Sequence, residues 1–292
     1  DRIHYAVNCN FCVFYFNKYK CISSKINKKD YMIGVFDSGI GGLTVVRSLM
    51  ERLSGYDIVY FGDTARTPYG TKSAETVISY SLENIEFLLK NGAKIVVMAC
   101  NTASSVASHR VAETFDIPIF EVVTPATKQA VNRSGNLAVG VIGTRATIKS
   151  GIYEKKIKAL KPAAKVYSVA CPLLVPLVEE GWLKKPETMM IIKKYLHPLR
   201  VRQIDTLILG CTHYPLLKDQ IQRKIGKKVI IIDSSIAVAE KVKSFLDTHP
   251  EVDHLLGKKD EFRLFVSDIT EQFEKTARIT LKRKVFLEHI KL

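Results

Sequence analysis

Two cysteines stand out because each follows an apolar run and is followed at once by two polar residues. VVMACNTASS (97–106) contains Cys100, and TLILGCTHYP (206–215) contains Cys211. The polar residues that follow are Asn101 and Thr102 in the first stretch, and Thr212 and His213 in the second. Hydroxyl, amide and ring N–H groups bind anions, and thiols can move a proton, so these residue types suit acid–base work on a carboxylate-bearing molecule.

Short apolar runs alternate with helix-patterned stretches along the chain, and this predicts parallel strands covered by helices on both faces. The first set of predicted strands covers 32–37, 57–63, 94–100 and 117–123. The second set covers 136–144, 165–172, 206–212 and 227–235, and a helix, a strand (261–268) and a final helix or strand complete the chain. The fold class expected is therefore α/β.

Each set opens in a similar way, with GVFDSG (34–39) in the first and GVIGTR (140–145) in the second, and each contains one cysteine strand. This repetition predicts two similar three-layer αβα lobes with mostly parallel sheets. Ligands of such sheets bind at the carboxyl ends of the strands. If the two lobes face each other at those ends, the two thiols would flank one bound substrate.

A cysteine in a strand-to-helix turn lies near a helix N-terminus, which favours a thiolate and predicts a lowered pKa for Cys100 and Cys211. Two such groups on opposite faces of one carbon could remove and return a proton with inversion of configuration. The alternative is that each cysteine is a small buried apolar residue. Cys171 also ends a strand, but Pro172 follows it, and packing is the expected role there.

Composition sets broader limits. The 292 residues carry a net charge of +15, which could indicate contact with nucleic acid or an anionic membrane, but no nucleic-acid-binding signature accompanies the basic residues. Six cysteines in 292 residues do not make a disulfide-dense small secreted domain, so a reducing cytoplasm is the expected compartment. No apolar run approaches the roughly 18 residues of a membrane span.

The first thirty residues do not match the pattern that begins at Tyr31. They are aromatic and lysine-rich, and they contain a single CxxC at Cys9 and Cys12, which alone is weak evidence for zinc. We expect residues 1–30 to be an atypical extension outside the fold.

From Tyr31 to about residue 275 the chain resembles bacterial glutamate racemase. The matching motifs are IGVFDSGIGGLTV (33–45), FGDTARTPYG (61–70), ACNTAS (99–104), GVIGTRATI (140–148), ACPLLVPLVEEG (170–181) and LGCTHYPLL (209–217). They cover the whole core in the family's order and spacing. The resemblance implies a discontinuous first lobe, 31–124 with 234–292, and a second lobe, 125–233, with the active site in the cleft between them.

The resemblance also implies the roles of particular residues. Cys100 and Cys211 would be the acid–base thiols, assisted by Asp37 beside Cys100 and by His213 beside Cys211. Glu179 would be a further acidic residue of the catalytic site. The residues implied to bind the amino acid are Asp37, Ser38, Pro68, Tyr69, Gly70, Asn101, Thr102, Thr212 and His213. Asp37 is also a possible acceptor for the substrate ammonium group.

The activity implied is the interconversion of L- and D-glutamate without a cofactor or metal, supplying D-glutamate for peptidoglycan in the cytoplasm. The expected partner is the small-molecule substrate, with no nucleic acid and no membrane, and a homodimer is expected. Two alternatives stay open at this point. One is a related racemase acting on aspartate or a hydantoin, and the other is a non-catalytic protein whose basic surface binds nucleic acid or a protein such as gyrase.

Overall fold

The computed structural model describes residues 31–291. Ten strands form two sheets in this part of the chain, and every ladder is parallel. The first sheet contains β1 (Met32–Asp37), β2 (Ile58–Gly62), β3 (Ala93–Met98), β4 (Ile119–Glu121), β9 (Phe262–Val266) and β10 (Leu287–His289). The second contains β5 (Ala138–Gly143), β6 (Lys165–Ala170), β7 (Thr206–Gly210) and β8 (Ile230–Asp233).

Helices follow most of the strands and cover both faces of each sheet. They are α1 (Leu43–Arg52), α2 (Ala74–Lys90), α3 (Asn101–Val106), α4 (Ser108–Thr114), α5 (Val123–Arg133), α6 (Arg145–Lys149), α7 (Ile152–Leu160), α8 (Leu174–Glu179), α9 (Pro186–Val201), α10 (Lys218–Ile225), α11 (Ser234–Thr248), α12 (Pro250–Asp253) and α13 (Glu271–Leu281). Within residues 31–291, none of these helices is both long and apolar enough to cross a membrane.

Four apolar clusters hold the two sheets and their helices together. In the first lobe, α1, α11 and α13 pack on one face of the sheet, and α2, α3 and α4 pack on the other. In the second lobe, α8, α9 and α10 cover one face, and α5 and α7 cover the other. Because both faces are covered, strands such as β1, β5 and β7 are buried along their whole length and read as continuous apolar runs.

The order of strands confirms the two similar lobes. The first sheet runs β10-β9-β2-β1-β3-β4 and the second runs β6-β5-β7-β8, so four strands of each occur in the same relative order. β3 and β7 occupy equivalent places, and each ends just before a cysteine. The additional strands β9 and β10 belong to the first sheet alone. The bounds 31–124 with 234–292, and 125–233, remain the proposed limits of the lobes.

Some predicted boundaries are wrong. The strand expected over 117–123 stops at Glu121, because the Glu121 carboxylate accepts hydrogen bonds from the backbone N–H groups of Val123 and Thr124, the latter at 2.9 Å, and thereby starts α5. The stretch after Cys100 forms two short helices, α3 and α4, which are divided at Ala107. The CxxC and the extension at residues 1–30 lie outside the described residues.

Candidate active site

A small cavity lies where the carboxyl ends of both sheets meet. It is lined by Ser38, Pro68, Tyr69, Gly70, Cys100, Asn101, Thr102, Thr144, Val175, Cys211, Thr212 and His213. These residues follow β1, β2 and β3 in the first lobe, and β5, β6 and β7 in the second. The cavity therefore joins the two cysteines that the sequence singled out, one from each lobe.

The first half of the site is centred on Cys100, which directly precedes α3. Its Sγ lies 3.7 Å from the Ser38 hydroxyl oxygen and is buried. Burial, reinforced by the negative charge of Asp37, raises the pKa of Cys100 to about 12. The expected lowering of this pKa is wrong, because α3 has only six residues and its favourable end cannot offset complete desolvation next to a carboxylate.

Asp37 stands behind this half of the site and does not line the cavity. Its Oδ2 accepts the N–H groups of Gly39 at 3.1 Å and Gly42 at 3.0 Å, and its Oδ1 accepts the Thr212 hydroxyl at 3.2 Å. Burial raises the pKa of Asp37, while the charge of His213 and these hydrogen bonds oppose the rise. These three hydrogen bonds hold the Asp37 carboxylate in place between the glycine turn and Thr212.

The second half is a chain of three side chains behind Cys211. The Cys211 Sγ lies 3.8 Å from His213 Nδ1, and His213 Nε2 lies 2.6 Å from Glu179 Oε1. Burial lowers the pKa of His213, but its hydrogen bonds with Cys211 and Glu179 outweigh burial, and the net pKa is well above its ordinary value. For Glu179, the effect of burial is outweighed by His213, and the net pKa is lowered. An imidazolium held by a carboxylate therefore faces the sulfur.

The glycine run after β1 is required for this contact between lobes. A Cβ on Gly41 would lie 2.4 Å from the Thr212 hydroxyl oxygen and 2.5 Å from His213 Nδ1. The Thr44 hydroxyl reinforces the approach, since it lies 2.8 Å from the Gly41 carbonyl oxygen and 3.1 Å from that of Thr212. A side chain at position 41 would therefore clash with Thr212 and His213, and these residues would have to shift.

Hydroxyl groups join the two lobes on the other side of the cavity. The Thr102 hydroxyl lies 3.0 Å from that of Thr144 and 3.3 Å from that of Thr147. The Asn101 side-chain oxygen accepts the Tyr153 hydroxyl at 2.6 Å, again from the opposite lobe. These donors surround the cavity and suit a carboxylate.

Every predicted site residue lines the cavity except Asp37 and Glu179. These two lie behind the wall, where Asp37 contacts Thr212 and Glu179 contacts His213. Two lining residues, Thr144 and Val175, were not predicted. Thr144 could have been found, because it occupies the same place after β5 that Ser38 occupies after β1. Val175 carries no chemical group that a search for catalytic residues would select. Cys171 packs in the apolar core, as predicted.

Known proteins share both the sequence and the fold. The Asp/Glu/Hydantoin racemase family model matches residues 33–242. The glutamate racemase of Syntrophus aciditrophicus is 44% identical over 256 residues, which cover 87% of this chain and 93% of the relative.

Two solved structures superimpose over most of the chain. A glutamate racemase isoform from Bacillus anthracis has a TM-score of 0.85 and 36% identity, covering 90% of this chain and 98% of that one. The glutamate racemase of Francisella tularensis, solved in complex with D-glutamate, has a TM-score of 0.82 and 38% identity at the same coverage.

Proposed function

This chain belongs to the Asp/Glu/Hydantoin racemase family, and from that premise we propose that it interconverts L- and D-glutamate by proton transfer at Cys100 and Cys211. It is an isomerase that acts on glutamate, as are the relatives and solved structures described above. Neither aspartate, a hydantoin nor a non-catalytic role finds support among them. The observation that carries the mechanism is a single cavity lined by one thiol from each lobe.

The proton path follows from the two sulfurs. One thiolate takes the α-proton as the other sulfur delivers a proton to the opposite face, so configuration inverts. Burial and the charge of Asp37 keep Cys100 a neutral thiol, which suits it to deliver a proton. Cys211 has an imidazolium within 3.8 Å that compensates a negative sulfur. For the reverse direction the protons have changed places, and each sulfur exchanges its role.

The α-proton is weakly acidic, so the developing carbanion requires electrostatic stabilisation. Its negative charge spreads onto the adjacent carboxylate. The hydroxyl and amide groups of Ser38, Asn101, Thr102, Thr144 and Thr212 surround the cavity and can bind the two carboxylates of glutamate. Asp37 and Glu179 contribute by fixing the groups that touch the substrate.

We also propose that this reaction supplies D-glutamate for peptidoglycan in the cytoplasm, by a homodimer that needs no cofactor. A strain that requires external D-glutamate tests the cellular role, because expression of this chain should restore its growth. Failure of an active enzyme to do so would contradict the role in the cell wall but not the chemistry.

The test of the chemistry is incubation of L-glutamate with the purified chain in D2O, with no cofactor added. We expect loss of optical rotation and entry of deuterium at the α-carbon, and severe loss of both in Cys100→Ser and Cys211→Ser. Full activity in either variant would contradict the two-thiol mechanism. An inert wild type toward glutamate, with aspartate turned over, would contradict the substrate assignment.

A further inference from the structure

The mechanism above makes no use of Asp63, a fully buried carboxylate at the end of β2. Resting on the proposed function, we propose that Asp63 is a positioning residue that holds the cavity wall formed by Pro68, Tyr69 and Gly70 in its glutamate-binding shape. The segment concerned is residues 63–71, which we call the β2 loop.

Asp63 reaches the cavity through Tyr69. The Tyr69 hydroxyl donates a hydrogen bond to Asp63 Oδ2 and accepts one from the Asn84 side chain at 3.0 Å. Tyr69 itself is buried and lines the cavity. Its ring is therefore fixed at its far end by two groups of the first lobe, and the adjoining backbone follows the ring.

Hydrogen bonds of Asp63 and Arg66 connect the β2 loop to three parts of the first lobe. Its Oδ1 accepts the Ser267 hydroxyl at 3.1 Å, just after β9. Its backbone N–H donates to the Asp37 carbonyl at 3.0 Å, just after β1. Arg66, within the loop, donates to Asp63 Oδ2 at 2.7 Å and to the Asn84 side chain on α2 at 3.1 Å. The Asp63 carboxylate thus fixes the loop relative to β9, its backbone N–H fixes the loop relative to β1, and Arg66 links the loop to α2.

The β2 loop contacts the second lobe at Gly70, so its position must be accurate. A Cβ on Gly70 would lie 2.6 Å from the Thr144 Cβ. Gly70 and Thr144 are closely packed, so movement of the loop toward the second lobe would displace Thr144. Movement in the opposite direction would open the cavity wall. Asp63 controls the binding step through this geometry and takes no part in proton transfer.

The charge of Asp63 is compensated by Arg66. A buried carboxylate without a partner would repel the two carboxylates of glutamate, and Arg66 compensates the charge of Asp63 at 2.7 Å. The arginine is held in place by Glu83 as well, and its guanidinium carbon lies 4.0 Å above the Tyr80 ring. The Asp63–Arg66 pair therefore presents a fixed but neutral support to the cavity.

The experiment compares two buried aspartates at opposite ends of the same strand. Asp57 precedes β2 and accepts the backbone N–H groups of Lys259 at 2.8 Å and Glu261 at 2.9 Å. It lies about 20 Å from Asp63 along the strand. Asp57→Asn is thus a matched control that removes a buried, hydrogen-bonded carboxylate of the same lobe without touching the cavity wall.

For Asp63→Asn we expect the KM for glutamate to rise about tenfold or more while kcat changes less than about threefold. Tyr69→Phe, which removes one hydroxyl and keeps the ring, should raise KM in the same sense but less. Asp57→Asn should lower the thermal midpoint without a change in KM. A KM unchanged in Asp63→Asn, or raised equally in Asp57→Asn, would overturn the proposal.

A second comparison separates charge from shape. Arg66→Met leaves the Asp63 carboxylate without its compensating charge, so the KM should rise, and adding Asp63→Asn should bring it partly back down. A double variant with a KM no lower than that of Arg66→Met would overturn the charge argument. D-glutamate binding measured by calorimetry for the same proteins needs no turnover. A wild type that binds but does not racemise would contradict the proposed function and leave this inference standing.

Discussion

The two halves of the site share one backbone plan and differ in chemistry. β3 with Cys100 and β7 with Cys211 occupy equivalent strands of the two sheets. The residue two positions after the cysteine is Thr102 in the first lobe and His213 in the second. One sulfur is kept protonated by burial and by a nearby carboxylate, and the other lies near an imidazolium that can compensate a thiolate. A repeated fold thus supplies symmetric positions, and the side chains around the two sulfurs give each a different electrostatic environment.

The lobes also differ in charge. Residues 125–233 contain 20 Lys and Arg against 7 Asp and Glu, whereas residues 31–124 with 234–292 contain 18 against 20. The proposed second lobe is therefore strongly positive and the first is nearly neutral. The basic character of the chain belongs mainly to one side of the cleft, which is consistent with attraction of an anionic substrate.

The largest expected effect comes from making the second half resemble the first. His213→Thr removes the imidazole next to Cys211, and we expect kcat to fall about 100-fold. Thr102→Val in the equivalent place removes only a hydroxyl, and kcat should fall about tenfold or less. Steady-state polarimetry of both variants checks the comparison. Equal losses would show that the two positions do not differ in function.

A smaller effect is expected from the close approach between lobes. Gly41→Ala places a methyl group within 2.5 Å of His213 Nδ1, so the imidazole must move and kcat should fall about tenfold or more. Gly135→Ala is the control, since its added Cβ would lie no closer than 3.7 Å to any side chain. Wild-type turnover in Gly41→Ala would contradict the requirement for glycine.

The pKa of Cys100 gives a test that does not depend on turnover. Asp37→Asn removes the repelling charge, so the pKa should fall below about 12. The raised pKa means that protonation of Cys100 stabilises the fold below about pH 9, and this contribution is lost as pH rises toward 12. Alkylation of Cys100, followed by peptide mapping across this range, measures the shift. An unchanged alkylation profile would show that Asp37 does not control the thiol.

Much of this site could be predicted because strand ends are visible in the sequence. The apolar runs before Asp37, Cys100 and Cys211 end close to where β1, β3 and β7 end, so the topology brings those residues together. The direction of the Cys100 pKa could not be predicted, because a local helix-end argument does not include burial or the charge of a residue 63 positions earlier. The end of β4 was missed because the Glu121 side chain, and not the apolar pattern, starts α5.

The smallest expected effect concerns the charge difference between the lobes. Lys193→Glu with Lys194→Glu reverses two exposed charges on α9, and kcat/KM for glutamate should fall a few-fold at low salt and recover near wild type at about 0.5 M salt. Lys241→Glu with Lys275→Glu makes the same change in charge on the first lobe. If both pairs lower kcat/KM equally, the net charge of the protein matters and the location of the charge on one lobe does not.

The central claim, that each sulfur serves one face of the substrate, is tested most directly by isotope release from single-thiol variants. Cys100→Ser and Cys211→Ser are each incubated with L- and D-glutamate carrying deuterium at the α-carbon, and release to water is followed by NMR. We predict that each variant retains residual release from one enantiomer, and that the preferred enantiomer is opposite in the two variants. Preference for the same enantiomer in both would contradict the account.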